Sequence, residues 1–475
     1  MDVTHTAAQA LASLWHGAAL PAAALDFVDL PGADPVLPSS FAVGAAAQAS
    51  LAAAALAAAQ VGHRRNGLRQ RVRVDALHAA LDSAAWFRID GKALPAWDKL
   101  SGLYRCGAAA GEPGWVRIHT NFTHHRDAAL RLLGLAPGAE TSRDAVLEAL
   151  QGWRAEDFET AAAAAGGVAA AVRSFAQWDA HPQARALAGQ APISTQRIGD
   201  AAAPALPWPP LRAEQRPLHG LRVLDLTRIL AGPVAGRTLA AYGAEVMLVN
   251  SPTLPNIDAI ADTSRGKLSA QIDLKTDAGR ATLRELIAGA DVFLHGYRPG
   301  ALTALGFGPP ALASLKPGIV VLSLAAHGFG GPWAGRRGFD SLVQTASGFN
   351  VAEAAAAGAD APRALPIQIL DYAAGYLLAF GASAALLRQR VEGGSWEVRV
   401  SLAGVGHWLR VLGRVATSFD RATPSFEPFA EDSDSGFGRL RALRHAAVFS
   451  HTPAGWTRPS MPPGSHPPRW PEMPA

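Results

Sequence analysis

The chain has 475 residues, of which 49% are hydrophobic and 17% charged, a balance that excludes a disordered protein and allows two or three domains. Its 43 basic and 39 acidic residues leave a net charge of +4, and no run of Lys or Arg argues for a nucleic-acid partner. The single cysteine, Cys106, excludes a disulfide framework and a cysteine-based metal site within the chain.

The amino-terminal segment carries Asp2 and His5 and lacks a basic stretch followed by an apolar core, so we expect a cytoplasmic protein without a secretory leader. The uncharged segment 40–62 is long enough to span a bilayer. It consists mostly of alanine, interrupted by Gln48, Ser50 and Gln60. Alanine favours helix but gives little lipid transfer energy, so we predict a buried helix and no membrane partner.

Alanine-rich helices and a few short strands are predicted for the first part of the chain. Hydrophobic periodicity places helices over 7–15, 45–61, 143–151 and 155–174, with strands over 70–74 and 115–119.

Three histidines, His119, His124 and His125, cluster in the segment IHTNFTHHRD. A metal site needs ligands that share one face, together with a carboxylate, and two of these histidines are adjacent in sequence. We therefore expect no metal.

Two proline-rich stretches divide the chain. Residues 201–217 predict an extended linker, because proline breaks both helix and sheet. The predicted parts are a helical small domain over 1–200, the linker 201–217, a catalytic domain over 218–450, and a tail over 451–475. We expect Trp456 and Trp470 to hold the tail against a protein surface.

Strand and helix patterns alternate after the linker. Strands are predicted over 222–226, 245–249, 291–294 and 319–324. One helix is predicted to follow the first strand and end at 242, and another is predicted over 276–289. This alternation predicts an α/β fold with a parallel sheet, whose ligands lie at the carboxyl ends of the strands. Gly232 and Gly236, between the first strand and its helix, allow either close approach to a phosphate or a tight structural turn.

An internal similarity links the two parts of the chain. Phe41–Gly44, a long Ala/Leu helix and the segment GLRQRVRV (67–74) resemble Tyr372–Gly375, a second long helix and GGSWEVRV (393–400). The alignment needs a gap of about five residues, so shared alanine bias remains an alternative to duplication. An ungapped start places Ser40 opposite Asp371.

Asp371 follows an apolar run and precedes the second of these helices. Aspartate is a preferred helix N-cap, which is the structural interpretation of this residue. A carboxylate at a helix start can also attack a thioester carbonyl while nearby backbone N–H groups stabilise the oxyanion.

Ordered motifs then identify a resemblance to the family III CoA-transferases, which include formyl-CoA and carnitine-CoA transferases and the α-methylacyl-CoA racemases. The motifs occur in the family's order over about 218–402: GLRVLDLTRILAGP (220–233), RGK (265–267) with DLKT (273–276), ADV (290–292) with GYRPG (296–300), HGFGGP (327–332), RGFDSLVQ (337–344) and ILD (369–371). Residues 103–104 with 114–118, and the segment 143–184, resemble a later portion of the family, so the order of the domains is expected to be rearranged.

The resemblance implies a Rossmann-like, parallel-sheet CoA-binding domain, a smaller α+β domain and an interlocked homodimer. It implies CoA as a co-substrate, acyl-CoA and carboxylate small molecules as partners, and Asp371 as the covalent nucleophile. Residues expected to bind CoA are Ile229, Leu230 and Ala231 on the adenine side, Lys267 at a phosphate, Tyr297 and Arg298 at the nucleotide, and Arg337 near the pantetheine or phosphates.

Three positions depart from the family pattern. Ala304 stands where a phosphate-binding arginine is common, Asn250 replaces an acid, and Phe339 occupies the position of a histidine in the racemase branch. The expected function is CoA transfer between an acyl-CoA and a carboxylic acid through an aspartyl intermediate. Alternatives are an isomerase or racemase of the same fold, which Phe339 disfavours, a non-catalytic CoA-binding paralogue, and an NAD-dependent oxidoreductase that lacks the fingerprint acid.

Overall fold

A computed structural model describes residues 5–204 and 208–472 of the chain. In the described residues the α-helices are α1 Ala7–Gly17, α2 Val43–Asn66, α3 Ala76–Asp82, α4 Thr123–Leu132, α5 Arg143–Leu150, α6 Ala155–Ala164, α7 Phe175–Ala180, α8 Pro182–Leu187, α9 Ala231–Ala241, α10 Ile260–Thr263, α11 Asp277–Ala288, α12 Pro309–Leu315, α13 Asp340–Ala346, α14 Phe349–Ala356, α15 Ile369–Glu392 and α16 Leu402–Val411. The strands are β1 Val28–Asp29, β2 Val72–Val74, β3 Phe87–Ile89, β4 Gly102–Cys106, β5 Gly114–Ile118, β6 Ala169–Ala171, β7 Ile193–Gly199, β8 Arg222–Leu226, β9 Glu245–Asn250, β10 Lys267–Gln271, β11 Val292–His295, β12 Val320–Ala325, β13 Ser395–Ser401, β14 Ala430–Ser435, β15 Gly438–Leu443 and β16 Ala447–Phe449.

The chain forms two compact units, each assembled from separated segments. The sheet unit comprises the described residues of Met1–Ala93, Gln190–Ala325 and Ile367–Ala475, and the small unit comprises Leu94–Gly189 and Ala326–Pro366. The predicted domain boundaries at 200 and 218 therefore do not separate the units. The reason is strand pairing over long sequence distances: β2 pairs with β16, and β3 pairs with β15. Local composition carries no information about such pairings.

A seven-stranded sheet forms the centre of the sheet unit, in the order β10-β9-β8-β11-β12-β13-β7. The first six strands are parallel, as the alternating pattern predicted, and β7 adds an antiparallel edge that the sequence did not reveal. Apolar residues of α11 and α12 pack on one face of this sheet, and α9 and α15 cover the other. The result is a mixed α/β architecture with helices on both faces.

Helices α2 and α15 have 24 residues each and pack along one another within the sheet unit. The prediction of a buried helix at 40–62 is confirmed, because every residue from Val43 to Gly62 is buried. Both helices are long and apolar enough to cross a membrane, but the most apolar windows of α2 and α15 are 100% and 94% buried. Each ends at a glycine with positive φ, Gly67 and Gly393, as the internal similarity predicted.

The small unit contains the three-stranded sheet β4-β5-β6 with helices α4–α8, α13 and α14. Its core includes Tyr104, Val116, Leu150 and Phe158. The predicted helix over 155–174 is wrong in its second half. The helix ends at Ala164, Gly166 adopts a φ of 80°, and Ala169–Ala171 pairs with β5. Strand pairing there overrides the helix propensity of alanine.

The proline-rich stretches contain no helix or strand in their described residues, 201–204, 208–217 and 451–472; residues 205–207 and 473–475 lie outside the described part. The expectation for the two tail tryptophans is confirmed. Trp456 Nε1 donates to Arg237 O at 2.9 Å, and Trp470 Nε1 donates to Leu286 O at 2.9 Å.

Candidate active site

The candidate site lies where the order of the parallel strands reverses. From β8 the chain proceeds outward through β9 to β10, whereas β11 lies on the opposite side of β8. In open α/β sheets, the loops that follow two such strands diverge and leave a crevice at the carboxyl ends of the strands. In open α/β sheets this crevice is the usual ligand position.

The loop after β8 contains a strained backbone. Ile229 has a φ of 79°, a conformation that β-branched residues rarely adopt. Such strain is concentrated at functional sites because the surrounding fold has to maintain it. Ile229 and Leu230 lead directly into α9, which starts at Ala231. The three residues predicted to bind the adenine side thus follow one another where the loop after β8 passes into α9.

Both loop glycines have a packing reason. A Cβ at Gly232 would collide with the side chain of Thr227, and one at Gly236 would collide with the carboxylate of Asp225. The interpretation of this segment as a tight strand-to-helix turn therefore accounts for both residues. Their approach to a phosphate remains a prediction.

Lys267 is placed differently from the prediction that it reaches a phosphate. Its side chain is 0% exposed, and Nζ donates to Asp225 Oδ2 at 2.8 Å and to Pro233 O at 2.8 Å. Asp225 in turn accepts from Thr227 N at 3.0 Å. Burial lowers the pKa of Lys267, and the Asp225 carboxylate opposes this shift. The ammonium group therefore supports the loop from beneath.

Asp371 lies in the first turn of α15. The helix starts at Ile369 with Gln368 as its N-cap, so Asp371 is the third helical residue and not the cap itself. Its side chain is buried, with an exposed fraction of 8%. Its position in the first turn also suits a carboxylate electrostatically, because the helix N-terminus carries partial positive charge.

The next turn of the same helix contacts the start of α9, which directly follows the strained loop. Gly375 lies four residues later and therefore on the same face of the helix. A Cβ at Gly375 would be 2.6 Å from Ala231 O, so α15 and the start of α9 are in direct backbone contact there. The predicted nucleophile and the predicted nucleotide loop consequently belong to one local arrangement.

A buried charge network adjoins Asp371. The Arg237 guanidinium pairs with Asp262 and, at 3.2 Å, with Asp82, and it lies 5.9 Å from the centre of the Tyr372 ring. Burial opposes the charge of Arg237, yet the two carboxylates raise its pKa above the usual value. Tyr376 donates to Asp82 as well. This network joins α3, α9, α10 and α15 behind the site.

The loop after β11 supplies the opposite side of the crevice. Tyr297 is partly buried and packs against the apolar core of the sheet unit. Burial raises its pKa, and the nearby Arg228 cation opposes the shift, so the cationic loop after β8 is close to this ring. Arg298 is exposed in the same loop. Arg337 is also exposed and belongs to the small unit.

A second polar network at the strand ends was missed by the sequence analysis. Ser323 Oγ donates to Glu397 Oε1 at 2.7 Å and lies 3.0 Å from His295 Nε2. Gln196 Nε2 donates to Glu397 Oε2 at 2.6 Å. Burial lowers the pKa of His295 to about 4, so the imidazole is neutral at pH 7. Polar residues within otherwise apolar strands were the only indication in the sequence.

The small unit places aromatic rings around Phe339. Its ring stacks on His119 with centroids 4.0 Å apart and an interplanar angle of 12°. Burial and the Arg117 cation lower the pKa of His119 to about 4. Among the residues that the structure describes, no three His, Cys, Asp or Glu side chains are arranged as metal ligands.

Comparison with known proteins relates part of the chain to one family. A sequence profile of CoA-transferase family III matches residues 218–425. A probable fatty acyl-CoA transferase of Mycobacterium tuberculosis is 34% identical over 230 residues, which are 44% of this chain and 58% of that protein. The succinyl-CoA:glutarate CoA-transferase of Mus musculus is 33% identical over 192 residues, covering 38% of this chain and 43% of that protein. The segment 218–425 therefore matches CoA-transferase family III, as the motifs predicted.

Similar solved structures cover comparable lengths. A crystal structure of the same M. tuberculosis protein is 33% identical with a TM-score of 0.38, covering 42% of this chain and 58% of that one. A CAIB/BAIF family protein from Brucella suis is 25% identical with a TM-score of 0.38, and the match covers 47% of this chain and 65% of that one. The chain thus spans about half the length of the relatives it matches.

Proposed function

We propose that this protein transfers CoA from an acyl-CoA thioester to a carboxylic acid, with Asp371 as the nucleophile. The observation that carries the proposal is the backbone contact between α15 and Ala231 of the strained loop, one helical turn from Asp371. A carboxylate in the first turn of a helix, beside a loop at the topological switch point, is placed to meet a bound thioester.

The proposed reaction passes through three covalent intermediates on Asp371: a mixed anhydride with the donor acid, an aspartyl-CoA thioester, and a mixed anhydride with the acceptor acid. The Asp371 carboxylate attacks the thioester carbonyl and the C–S bond breaks. This step releases CoA thiolate and forms a mixed anhydride between Asp371 and the donor acid. The thiolate then attacks the aspartyl carbonyl, which releases the donor acid and leaves an aspartyl-CoA thioester. The acceptor carboxylate attacks this thioester and displaces CoA thiolate. The thiolate finally takes the acceptor acyl group and regenerates Asp371.

The CoA-binding part of the proposal rests on a Rossmann-like sheet. Counted along the chain, the six parallel strands have the order 3-2-1-4-5-6 typical of dinucleotide-binding sheets. We assign the adenine side to Ile229, Leu230 and Ala231, and the nucleotide also to Tyr297 and Arg298. Lys267 is assigned a supporting role instead of a phosphate contact, because its ammonium group is buried in an ion pair.

The second candidate is CoA binding without turnover. It is motivated by Ala304 at a position where the family often has a phosphate-binding arginine. An isomerase or racemase is less well supported, because the ring of Phe339 cannot transfer a proton. We also propose that the protein is a cytoplasmic homodimer. Arg337 is proposed to contact CoA.

A substrate screen tests this function. Fatty acyl-CoA and succinyl-CoA donors are combined with a panel of carboxylates, and the CoA esters formed are measured by mass spectrometry. These donors are chosen because they occur in the names of similar proteins. Transfer by the parent and its absence in Asp371→Asn support the proposal. CoA binding without any transfer by the parent supports the second candidate, and light scattering decides the oligomeric state.

A further inference from the structure

A large cavity lies at the far end of α15 from Asp371. This helix-end cavity has a volume of about 690 Å³ and is lined by the last turns of α2 and α15, the end of α1, and the edge strand β7. Small-molecule sites typically have volumes of 300–1,000 Å³. Among the α15 residues that line the cavity, Phe380 comes closest to Asp371 in the sequence. It lies nine residues beyond Asp371, a distance of about 14 Å along the helix. The cavity is therefore separate from the proposed CoA site.

Apolar side chains form one part of its wall. Leu14, Trp208 and Trp408 line the cavity and are each less than 10% exposed. Ala384 and Ala385 of α15 add small apolar side chains to the lining. Such a wall accepts an alkyl or aromatic body.

The charged side chains that line the cavity are three arginines and one glutamate: Arg64, Arg388, Arg390 and Glu392. Arg388 pairs with Glu392 at 2.9 Å. The C-termini of α1, α2 and α15 contribute about half a negative charge each, which still leaves the cavity with a small excess of positive charge. An anion is therefore favoured over a cation.

Two polar groups are placed to meet the anion. Gln60 is 9% exposed, and its amide makes no hydrogen bond within residues 5–204 and 208–472. Arg64 follows one turn later, is exposed, and has no ion-pair or hydrogen-bond partner within the same described ranges. The Gln60 amide lines the cavity, where it can donate a hydrogen bond to a bound polar head group.

We propose that the helix-end cavity binds an amphipathic carboxylate, with its apolar body against Trp208, Trp408 and Leu14 and its head group on Gln60 and Arg64. Neither residue belongs to the proposed CoA-transfer machinery, so this site stands independently of the proposed function.

Calorimetric titration of the full-length protein with dodecanoate tests the proposal. We expect one dodecanoate per chain and at least ten-fold weaker binding of dodecyltrimethylammonium. Arg64→Gln should weaken dodecanoate binding about five-fold, the upper range for an exposed ion pair. Gln60→Leu should weaken it about three- to ten-fold, as expected for one hydrogen bond. Ala384→Phe should weaken dodecanoate binding by placing a ring in the space for the alkyl chain.

Arg131→Gln is the matched control, because Arg131 is also an exposed arginine in the last turn of a helix, α4. It should leave dodecanoate affinity unchanged. Equal affinities of the parent, Arg64→Gln and Gln60→Leu would overturn the proposal, as would equal binding of the cationic amphiphile. Complete competition of dodecanoate with CoA would also overturn it, by placing the ligand in the crevice.

Discussion

Helices α2 and α15 share a length, a composition and a glycine at their ends, but they use carboxylates differently at their starts. At α2, Asp34 reaches from a preceding loop and accepts hydrogen bonds from Gly44 N at 3.1 Å and Ala45 N at 2.7 Å. At α15 the carboxylate belongs to the helix itself, as Asp371. Ser40 stands at the position that the internal similarity pairs with Asp371.

The difference separates two roles of an acidic residue at a helix start. Asp34 satisfies backbone donors, and burial raises its pKa against the effect of those same hydrogen bonds. Asp371 lies one turn from the strained loop at the switch point. A preference for aspartate at helix starts therefore cannot distinguish a structural from a chemical residue without the position of the neighbouring loops.

The largest expected effect follows from removing the nucleophile. Asp371→Asn should reduce CoA transfer at least about 10⁴-fold, because residues that form the covalent intermediate dominate kcat. CoA affinity should stay within a few-fold, since other loops form the nucleotide pocket. Ser40→Ala is the matched control and should keep the parental rate. Transfer by Asp371→Asn at a similar rate would make Asp371 a structural residue only.

A second variant tests what holds the loop in front of α15. Lys267→Met leaves the Asp225 carboxylate buried without its cation and should lower the free energy of unfolding by about 3–5 kcal/mol. The double variant Asp225→Asn/Lys267→Met should recover much of this loss. Urea unfolding followed by tryptophan fluorescence measures both. A stable Lys267→Met protein with salt-sensitive loss of CoA affinity would restore the phosphate-binding role.

The corresponding test at α2 removes its cap. Asp34→Ala should lower the free energy of unfolding by about 2 kcal/mol, the upper range for a helix cap. Its kcat should stay within about three-fold of the parent, because no chemistry is assigned to the start of α2. A loss of kcat comparable to that of Asp371→Asn would erase the proposed difference between the two helices.

The smallest effect concerns pH. Burial lowers the pKa of His445 to about 3, and its Nδ1 accepts from Ala447 N at 3.1 Å, which requires the neutral ring. The unfolded state takes up a proton near pH 6.5 and the folded state does not, so acidification favours unfolding. This histidine should account for about 1.4 kcal/mol of lost stability between pH 7.5 and 5.5. His445→Gln should flatten that slope, and an unchanged slope would refute the assignment.

The sequence predicted those parts of the fold that depend on local pattern. Strands β8, β9, β11 and β12 were predicted to within one residue, because short apolar runs bounded by helices are characteristic of buried parallel strands. The prediction of one helix over 155–174 was wrong in its second half. Alanine favours helix, but pairing with β5 decides the conformation of Ala169–Ala171. The segment 326–366 belongs to the small unit, together with residues 94–189. Local sequence pattern does not indicate such long-range packing.

The candidate site was predictable to a similar extent. The motifs identified the turn at Ile229 and the helix of Asp371, since both are contiguous in sequence. They did not reveal that Lys267 is buried beneath the loop, because burial depends on the packing of α9. They also missed the His295–Ser323–Glu397 network, whose members lie on three different strands.

Trapping the aspartyl-CoA intermediate tests the central claim most directly. The protein is incubated with an active acyl-CoA without an acceptor, quenched and digested, and the peptides are examined by mass spectrometry. We predict a CoA adduct, formed with loss of water, on the peptide containing Asp371 and none in Asp371→Asn. Sustained CoA transfer with no adduct, or an adduct on a different residue, would contradict the account.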